Sequence, residues 1–181
     1  YVCWSAPVED LSEWRYEGVI YRKKQDPKNP LGYHLLFAPD VCQGPDGRYY
    51  LYYAFDFLGI MSVAVCDTPA GEYKFLGHIH YADGTLWGRR RGDQLPFDPG
   101  VLLDDDGRVW LYSGFYNAVP AILTGGHKLR CDGGTVLELE KDMVTIKTEP
   151  RVIFPKKGPG AFQGHEFFEA SSIRKEGKTY I

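Results

Sequence analysis

The 181-residue chain has little of several features that mark particular classes of protein. It has no apolar run near the ~18 residues that a membrane-spanning helix needs. It has no basic excess, since 21 Lys and Arg face 24 Asp and Glu and the formal net charge is −3. We therefore expect neither a membrane nor a nucleic-acid partner. Its four cysteines show no CxxC or Cys/His spacing, so a zinc site is not expected.

Helical periodicity is also lacking, because apolar residues nowhere recur every 3.6 positions over a sustained stretch. Aromatic residues, by contrast, make up 15% of the chain, with 13 Tyr. The 21 Gly and 12 Pro supply many turn residues. This composition indicates a folded chain of short strands and tight turns.

A repeated pattern runs along the chain and consists of an apolar strand, a turn with Gly, and an aromatic strand. Its copies lie at 37–53, 97–112 and 168–180, with turn glycines Gly47, Gly107 and Gly177. In the first two copies the turn is Asp-Gly, which is a strong hairpin signal between alternating apolar residues. A further pair of strands follows the pattern at 63–79 and, more weakly, at 135–153.

Each full unit thus holds about four strands, and such units repeated along a chain are typical of β-propeller blades. The sequence predicts an all-β, partial β-propeller of four-stranded antiparallel blades. We assign 1–24 to the end of one blade, 35–80 and 96–154 to full blades, and 166–181 to the start of another. Closed propellers typically have about 4–8 blades. The roughly three blades here would need further blades, from the same chain or another chain, to close the ring.

Acidic residues occupy the predicted starts of inner strands. Alignment on the turn glycines places Ala38, Asp98 and, with a one-residue slip, Glu169 at equivalent positions. Burying an acidic side chain at the start of an apolar strand costs desolvation free energy unless the carboxylate is paired or has a function. Carboxylates that converge in an aromatic-lined channel are the groups that catalyse glycoside hydrolysis. The alternative is that both acids are turn residues bonded to backbone N–H groups.

Other residues are candidate substrate contacts or competing acids. Asp40 lies two residues past the aligned position, on the same strand face, although a hydrogen bond at the strand start explains it equally well. Glu166 competes with Glu169 as the acid. His34 lies near the first inner strand. The remaining predicted substrate contacts are Phe37, His165 and, as a stacking residue, Trp87.

The motifs, in their order and spacing, resemble glycoside hydrolase family 43. Residues 97–114 resemble its second acidic motif, 37–41 its aromatic-Ala-Pro motif, and 164–175 its general-acid motif. The resemblance implies a five-bladed propeller that inverts anomeric configuration and cleaves arabinose- or xylose-containing oligo- or polysaccharides. It implies no required cofactor, with a structural calcium ion in the complete propeller as an option. The run 104–107 lacks the spacing of an EF-hand loop and is predicted to be a hairpin turn.

The resemblance also implies roles for the two acids. Glu169 would be the general acid, and Asp98 would tune the pKa of the acid and orient the substrate. Two neighbouring carboxylates resist joint ionisation, so we expect the pair to keep Glu169 protonated near neutrality, as a general acid requires. The general base would lie on an inner strand before Tyr1. The sequence leaves open whether the protein is cytoplasmic or secreted.

Besides a non-enzymatic interaction propeller, which the absence of WD-type and kelch signatures makes the weakest option, two alternatives to an inverting glycosidase remain at this level. One is a catalytically silent propeller that binds carbohydrate. The other is a related clan with retaining chemistry, such as the enzymes that act on fructans, whose Asn-Asp-Pro nucleophile motif would also precede Tyr1.

The missing base gives a first prediction. The 181-residue chain by itself should show no appreciable hydrolysis of aryl arabinosides or xylosides, because no carboxylate is placed to activate water. Release of the aryl group is the measurement. Strong turnover by this chain that disappears in the Asp98→Asn variant would contradict the prediction.

Overall fold

The structure is a computed structural model that describes residues 1–158 and 162–181. The described chain is built from strands, with one 3₁₀ turn at Lys23–Gln25. The strands are β1 (Val2–Ser5), β2 (Arg15–Val19), β3 (Leu36–Gln43), β4 (Tyr49–Phe55), β5 (Met61–Cys66), β6 (Lys74–His78), β7 (Gly100–Leu103), β8 (Val109–Gly114), β9 (Gly133–Leu139), β10 (Arg151–Pro155), β11 (Lys175–Glu176) and β12 (Thr179–Tyr180). In the described residues, no helix is long and apolar enough to cross a membrane.

The strands form four antiparallel sheets that follow one another along the chain. Two are four-stranded, with the orders β3-β4-β5-β6 and β7-β8-β9-β10, and two are the hairpins β1-β2 and β11-β12. The first strands of the two large sheets, β3 and β7, lie against each other. The predicted all-β fold of repeated four-stranded antiparallel blades is confirmed, as an open succession of sheets rather than a closed ring. The sequence also predicts a Gly- and Pro-rich loop between blades at 155–164. Residues 159–161 of this loop lie outside the described residues.

The predicted hairpin turns are present and have a common cause. Gly47 and Gly107 adopt φ of 82° and 80°, which a side chain would strain. One residue earlier, the carboxylates of Asp46 and Asp106 each accept a hydrogen bond from the backbone N–H two residues on, at 3.1 Å. The Asp-Gly pair therefore supplies both the cap and the left-handed residue of the turn.

Strand β4 shows why the chain is rich in aromatic residues. Tyr50 and Tyr52 point into a core shared with the second large sheet, where they meet Leu111 and Leu137. The opposite face of β4 packs on the hairpin β1-β2 and the residues after it. Because both faces of the sheet are covered, the strand is buried along its whole length instead of alternating between core and solvent.

Trp87 belongs to this shared core and corrects one prediction. Its side chain is 0% exposed and is packed among Ile79, Tyr81 and other buried residues. No ring face is left for a sugar, so the predicted stacking role is not supported. A stacking role was predicted because the sequence cannot separate a loop between sheets from the core that it covers.

A buried polar network holds the segment after β2 against the first large sheet. The fully buried carboxylate of Asp26 accepts hydrogen bonds from Tyr53 Oη at 2.7 Å, His78 Nε2 at 3.1 Å and the Lys28 N–H at 2.8 Å. Tyr21 and Tyr53 share a further bond at 2.7 Å. Burial by itself would raise the pKa of Asp26, but the bonds from His78, Tyr53 and Lys28 outweigh it and lower that pKa.

The network predicts that Asp26→Asn lowers the free energy of unfolding by about 1–3 kcal/mol, the usual cost of unmade buried hydrogen bonds. The lowered pKa means that the ionised carboxylate stabilises the fold above its ordinary pKa near 4. That contribution is lost as the pH falls through the lowered value. Denaturant unfolding at pH 7 and at pH 3 should therefore show a difference between wild type and variant that shrinks in acid.

Asp46→Asn is the matched control, because it makes the same change at a half-exposed carboxylate of the β3-β4 turn. We expect it to affect unfolding much less than Asp26→Asn does. Equal effects of the two variants would contradict a structural role for the network.

Candidate active site

An unusual backbone conformation recurs near the predicted starts of the inner strands. Ala38, Asp98 and Ala170 have φ of 45°, 50° and 64°, in the left-handed region that residues other than glycine rarely adopt. Such strained residues cluster at functional sites. By this criterion the residue equivalent to Asp98 is Ala170, and Glu169 lies one position earlier. The third copy is therefore displaced by two residues from the alignment on the turn glycines, one residue more than the slip that selected Glu169.

Asp98 connects its own strand to the segment that carries Glu169. Its side chain is only 6% exposed, and its Oδ2 accepts a hydrogen bond from the Ala170 N–H at 2.9 Å. Burial raises the pKa of Asp98, the nearby negative charge of Glu169 raises it further, and the bond from Ala170 opposes both. The two predicted catalytic acids are therefore brought together, with the raised pKa on Asp98.

Missing side chains at three glycines let the segment with Glu169 approach the second large sheet. A Cβ on Gly100 would lie 3.1 Å from the backbone of Ser171. The ring of Phe167 sits over Gly114 and Gly134, where a Cβ on either would lie 2.9 Å from it. These contacts fix the residues around Glu169, whose own side chain is exposed. A glycine inside a strand can mark such a close approach, and this was the available signal in the sequence.

Asp40 makes a second connection between sheets. Its Oδ2 accepts a hydrogen bond from the Val101 N–H of β7 at 2.8 Å, and its Oδ1 accepts one from the Val41 N–H at 3.0 Å. Burial raises the pKa of Asp40, while these bonds and the charge of Arg174 lower it. Of the two roles considered for Asp40, the hydrogen bond at the strand start is the one seen, and it reaches the next sheet.

Phenylalanine rings surround the two acids. Phe97, directly before Asp98, is 4% exposed, and its ring stacks on Phe57 with centroids 5.5 Å apart and an interplanar angle of 14°. The Phe37 ring is 5.9 Å from Phe97 and is 37% exposed. Phe168, directly before Glu169, is 55% exposed. Phe37 and Phe168 are thus partly exposed rings next to the segments that carry the two acids, and the substrate contact of Phe37 stays a prediction.

The competing acid, Glu166, is turned toward its own loop. Its exposed carboxylate accepts a hydrogen bond from the Gly164 N–H at 3.0 Å, and this bond lowers the pKa of Glu166. The choice of Glu169 over Glu166 as the general acid stays a prediction. His165 is exposed beside Glu166, and its backbone N–H binds the Phe162 carbonyl at 3.0 Å.

The described side chains that could bind a metal ion do not form a cluster. Within 1–158 and 162–181, no three His, Cys, Asp or Glu side chains converge so as to hold a metal ion. The calcium ion that the resemblance left as an option concerns the complete propeller and stays an expectation. The run 104–107 forms a turn in which the Gly107 N–H binds the Asp104 carbonyl at 2.9 Å.

Comparison with known proteins places this geometry in a family. The Glycosyl hydrolases family 43 profile matches residues 3–181. A xylosidase/arabinosidase of Thermoclostridium stercorarium is 56% identical over 99% of this chain and 37% of that protein. Xylosidase/arabinosidase 43A of Humicola insolens is 32% identical over 81% of this chain and 49% of that protein.

A solved structure agrees with these sequence matches. The α-L-arabinofuranosidase structure from Clostridium thermocellum ATCC 27405 superposes with a TM-score of 0.66 and 26% identity, over 99% of this chain and 50% of the other. The chain thus spans half or less of the length of each of these three proteins. With a profile match over nearly its whole length, the chain belongs to glycosyl hydrolase family 43.

Proposed function

We propose that the full-length protein is an inverting glycosidase that acts on α-L-arabinofuranosyl or β-D-xylosyl linkages of plant cell-wall glycans, with Glu169 as its general acid. The names of the similar proteins support this choice of sugars. The observation that carries the proposal is the bond from the Ala170 N–H to the buried Asp98 carboxylate, which holds Glu169 beside a second acid.

In the proposed reaction the carboxyl group of Glu169 donates its proton to the glycosidic oxygen as the bond from that oxygen to the anomeric carbon breaks. A water molecule, deprotonated by a general base, attacks the opposite face of the sugar. In inverting enzymes the two carboxyl groups are about 6.5–9.5 Å apart, which leaves room for this water. We assign the base to an inner strand that would precede Tyr1.

Asp98 would act in two ways. Its Oδ2 holds the backbone of Ala170 and so positions the neighbouring Glu169. Its remaining carboxylate oxygen would accept a hydrogen bond from a sugar hydroxyl and orient the substrate. Phe37 and Phe168 offer exposed rings for stacking, since sugar rings pack well on aromatic faces.

Glu169→Gln tests the assignment of the acid in the full-length protein. Hydrolysis of xylobiose or arabinobiose, whose leaving groups need a proton, should fall about 10²–10⁴-fold. Hydrolysis of the 2,4-dinitrophenyl glycoside should fall far less, because that leaving group departs without protonation. Glu166→Gln is the matched control and should affect the two substrates alike and less severely.

Three outcomes would count against this proposal. Equal losses on both substrates in Glu169→Gln, or a larger selective loss in Glu166→Gln, would move the acid elsewhere. Binding of xylo- or arabino-oligosaccharides by the wild-type protein without any hydrolysis would instead identify a silent carbohydrate-binding propeller.

Asp98 variants test the positioning role through stability. Asp98→Asn keeps an oxygen acceptor for the Ala170 N–H, whereas Asp98→Ala leaves that donor unpaired and should lose about 1 kcal/mol of unfolding free energy. Because the pKa of Asp98 is raised in the fold, its ionised form costs stability above that pKa and costs none in acid. At pH 7, Asp98→Asn should therefore be at least as stable as the wild type. Thermal unfolding in which Asn is less stable than Ala would contradict the role.

A further inference from the structure

A histidine–carboxylate pair lies outside the acids described so far. His34 Nδ1 and Asp56 Oδ1 are 2.8 Å apart, and the two side chains are 36% and 31% exposed. An ionised carboxylate can only accept a hydrogen bond, so Nδ1 carries the proton. In the neutral ring this leaves Nε2 as an acceptor, and no described residue forms a hydrogen bond with it.

The pair is held more firmly than a surface ion pair requires. The fully buried Asn29 brackets the His34 backbone, donating from Nδ2 to the His34 carbonyl at 2.9 Å and accepting from the His34 N–H at 3.1 Å. The His34 ring packs near Phe55, with centroids 6.0 Å apart. The Asp56 N–H also binds the Leu35 carbonyl at 3.2 Å.

This support has little to do with stability. An exposed ion pair contributes about 0–1 kcal/mol, so fixing its position from several sides brings the fold little. A polar group whose orientation is locked by packing and by surrounding hydrogen bonds is typical of a binding site. The fixed group here is an imidazole with one nitrogen turned outward.

The location of the His34–Asp56 pair in the fold indicates which ligand it could bind. His34 precedes β3 and Asp56 follows β4. Both residues therefore lie at the end of the sheet at which β3 begins, near Ala38. Asp56 is followed by Phe57, whose ring stacks on Phe97 beside Asp98. The stacked rings of Phe57 and Phe97 thus link the residue after Asp56 to the residue before Asp98.

We propose that His34, oriented by Asp56, accepts a hydrogen bond from a hydroxyl of a neutral pentose unit next to the one that is cleaved. His34 is then a specificity-determining residue for oligosaccharides, and Asp56 is a positioning residue. This inference rests on the proposed function, because it assumes that the substrate is a pentose oligosaccharide in the channel beside Asp98.

Kinetics of the full-length protein test the inference with two substrates. His34→Ala should raise KM for xylotriose or arabinotriose about tenfold, the effect of one lost hydrogen bond of about 1.4 kcal/mol, with kcat nearly unchanged. KM for the 4-nitrophenyl monoglycoside should not change, because that substrate carries no second pentose. His34→Gln, which keeps a side-chain oxygen acceptor, should recover part of the loss.

Asp56→Asn should raise the trisaccharide KM less than His34→Ala does. It should also shift the ¹⁵N resonances of the His34 ring, a change that a purely structural role in the loop would not require. Asp46→Asn, at the opposite end of the β3-β4 hairpin, is the matched control and should alter neither measurement.

The outcomes separate this inference from the function on which it rests. Absence of hydrolysis in the wild-type protein would overturn the proposed function. Hydrolysis that depends on Glu169, with a trisaccharide KM unchanged in His34→Ala, would overturn the role of His34 alone. An equal rise in KM for both substrates in His34→Ala would show general damage to the site and would also overturn it.

Discussion

The arrangement of the site depends on carboxylates that bind backbone N–H groups of the next sheet. Asp40 binds the N–H of Val101, and Asp98 binds that of Ala170. Each bond crosses from the start of one inner strand to the next unit, where no strand ladder could form it. Hydrogen bonds to an ionised acceptor are shorter and stronger than neutral ones. The bonds of Asp40 and Asp98 set how closely consecutive units approach each other at this end of the sheets. They therefore also set the position of Glu169.

The bond from Ala170 also offsets part of the cost of backbone strain and of a buried charge at Asp98. A left-handed φ of 50° and a buried charge beside Glu169 are both unfavourable. The ring of Phe167 packs closely on Gly114 and Gly134 and so fixes the segment that carries Ala170 and Glu169. The shared cores on both faces of β4 supply the stability that offsets these local costs. Part of the backbone strain thus lies where the segments of the two acids meet.

The parts of the fold that could be predicted are those that local sequence determines. Asp-Gly turns specify hairpins on their own, and their regular spacing indicates four-stranded units. The acid at position 98 followed from the same alignment. The bond from Asp98 to Ala170 spans 72 residues and depends on a backbone angle, so no pattern could reveal it. Trp87 was misplaced because burial depends on the neighbouring sheet. The contact of His34 with Asp56 needs the register of β3 against β4.

Tyrosine and phenylalanine divide the aromatic content between two tasks. Buried tyrosines join units through their hydroxyl groups, as Tyr52 does with the Met143 carbonyl at 2.8 Å and Tyr53 with Asp26. Around the acids the rings are phenylalanines, among them Phe57 and Phe97. A ring without a hydroxyl brings no polar group of its own, so charges nearby interact through a medium of low dielectric constant. This applies to the buried Asp98, where burial among such residues is the main cause of the raised pKa.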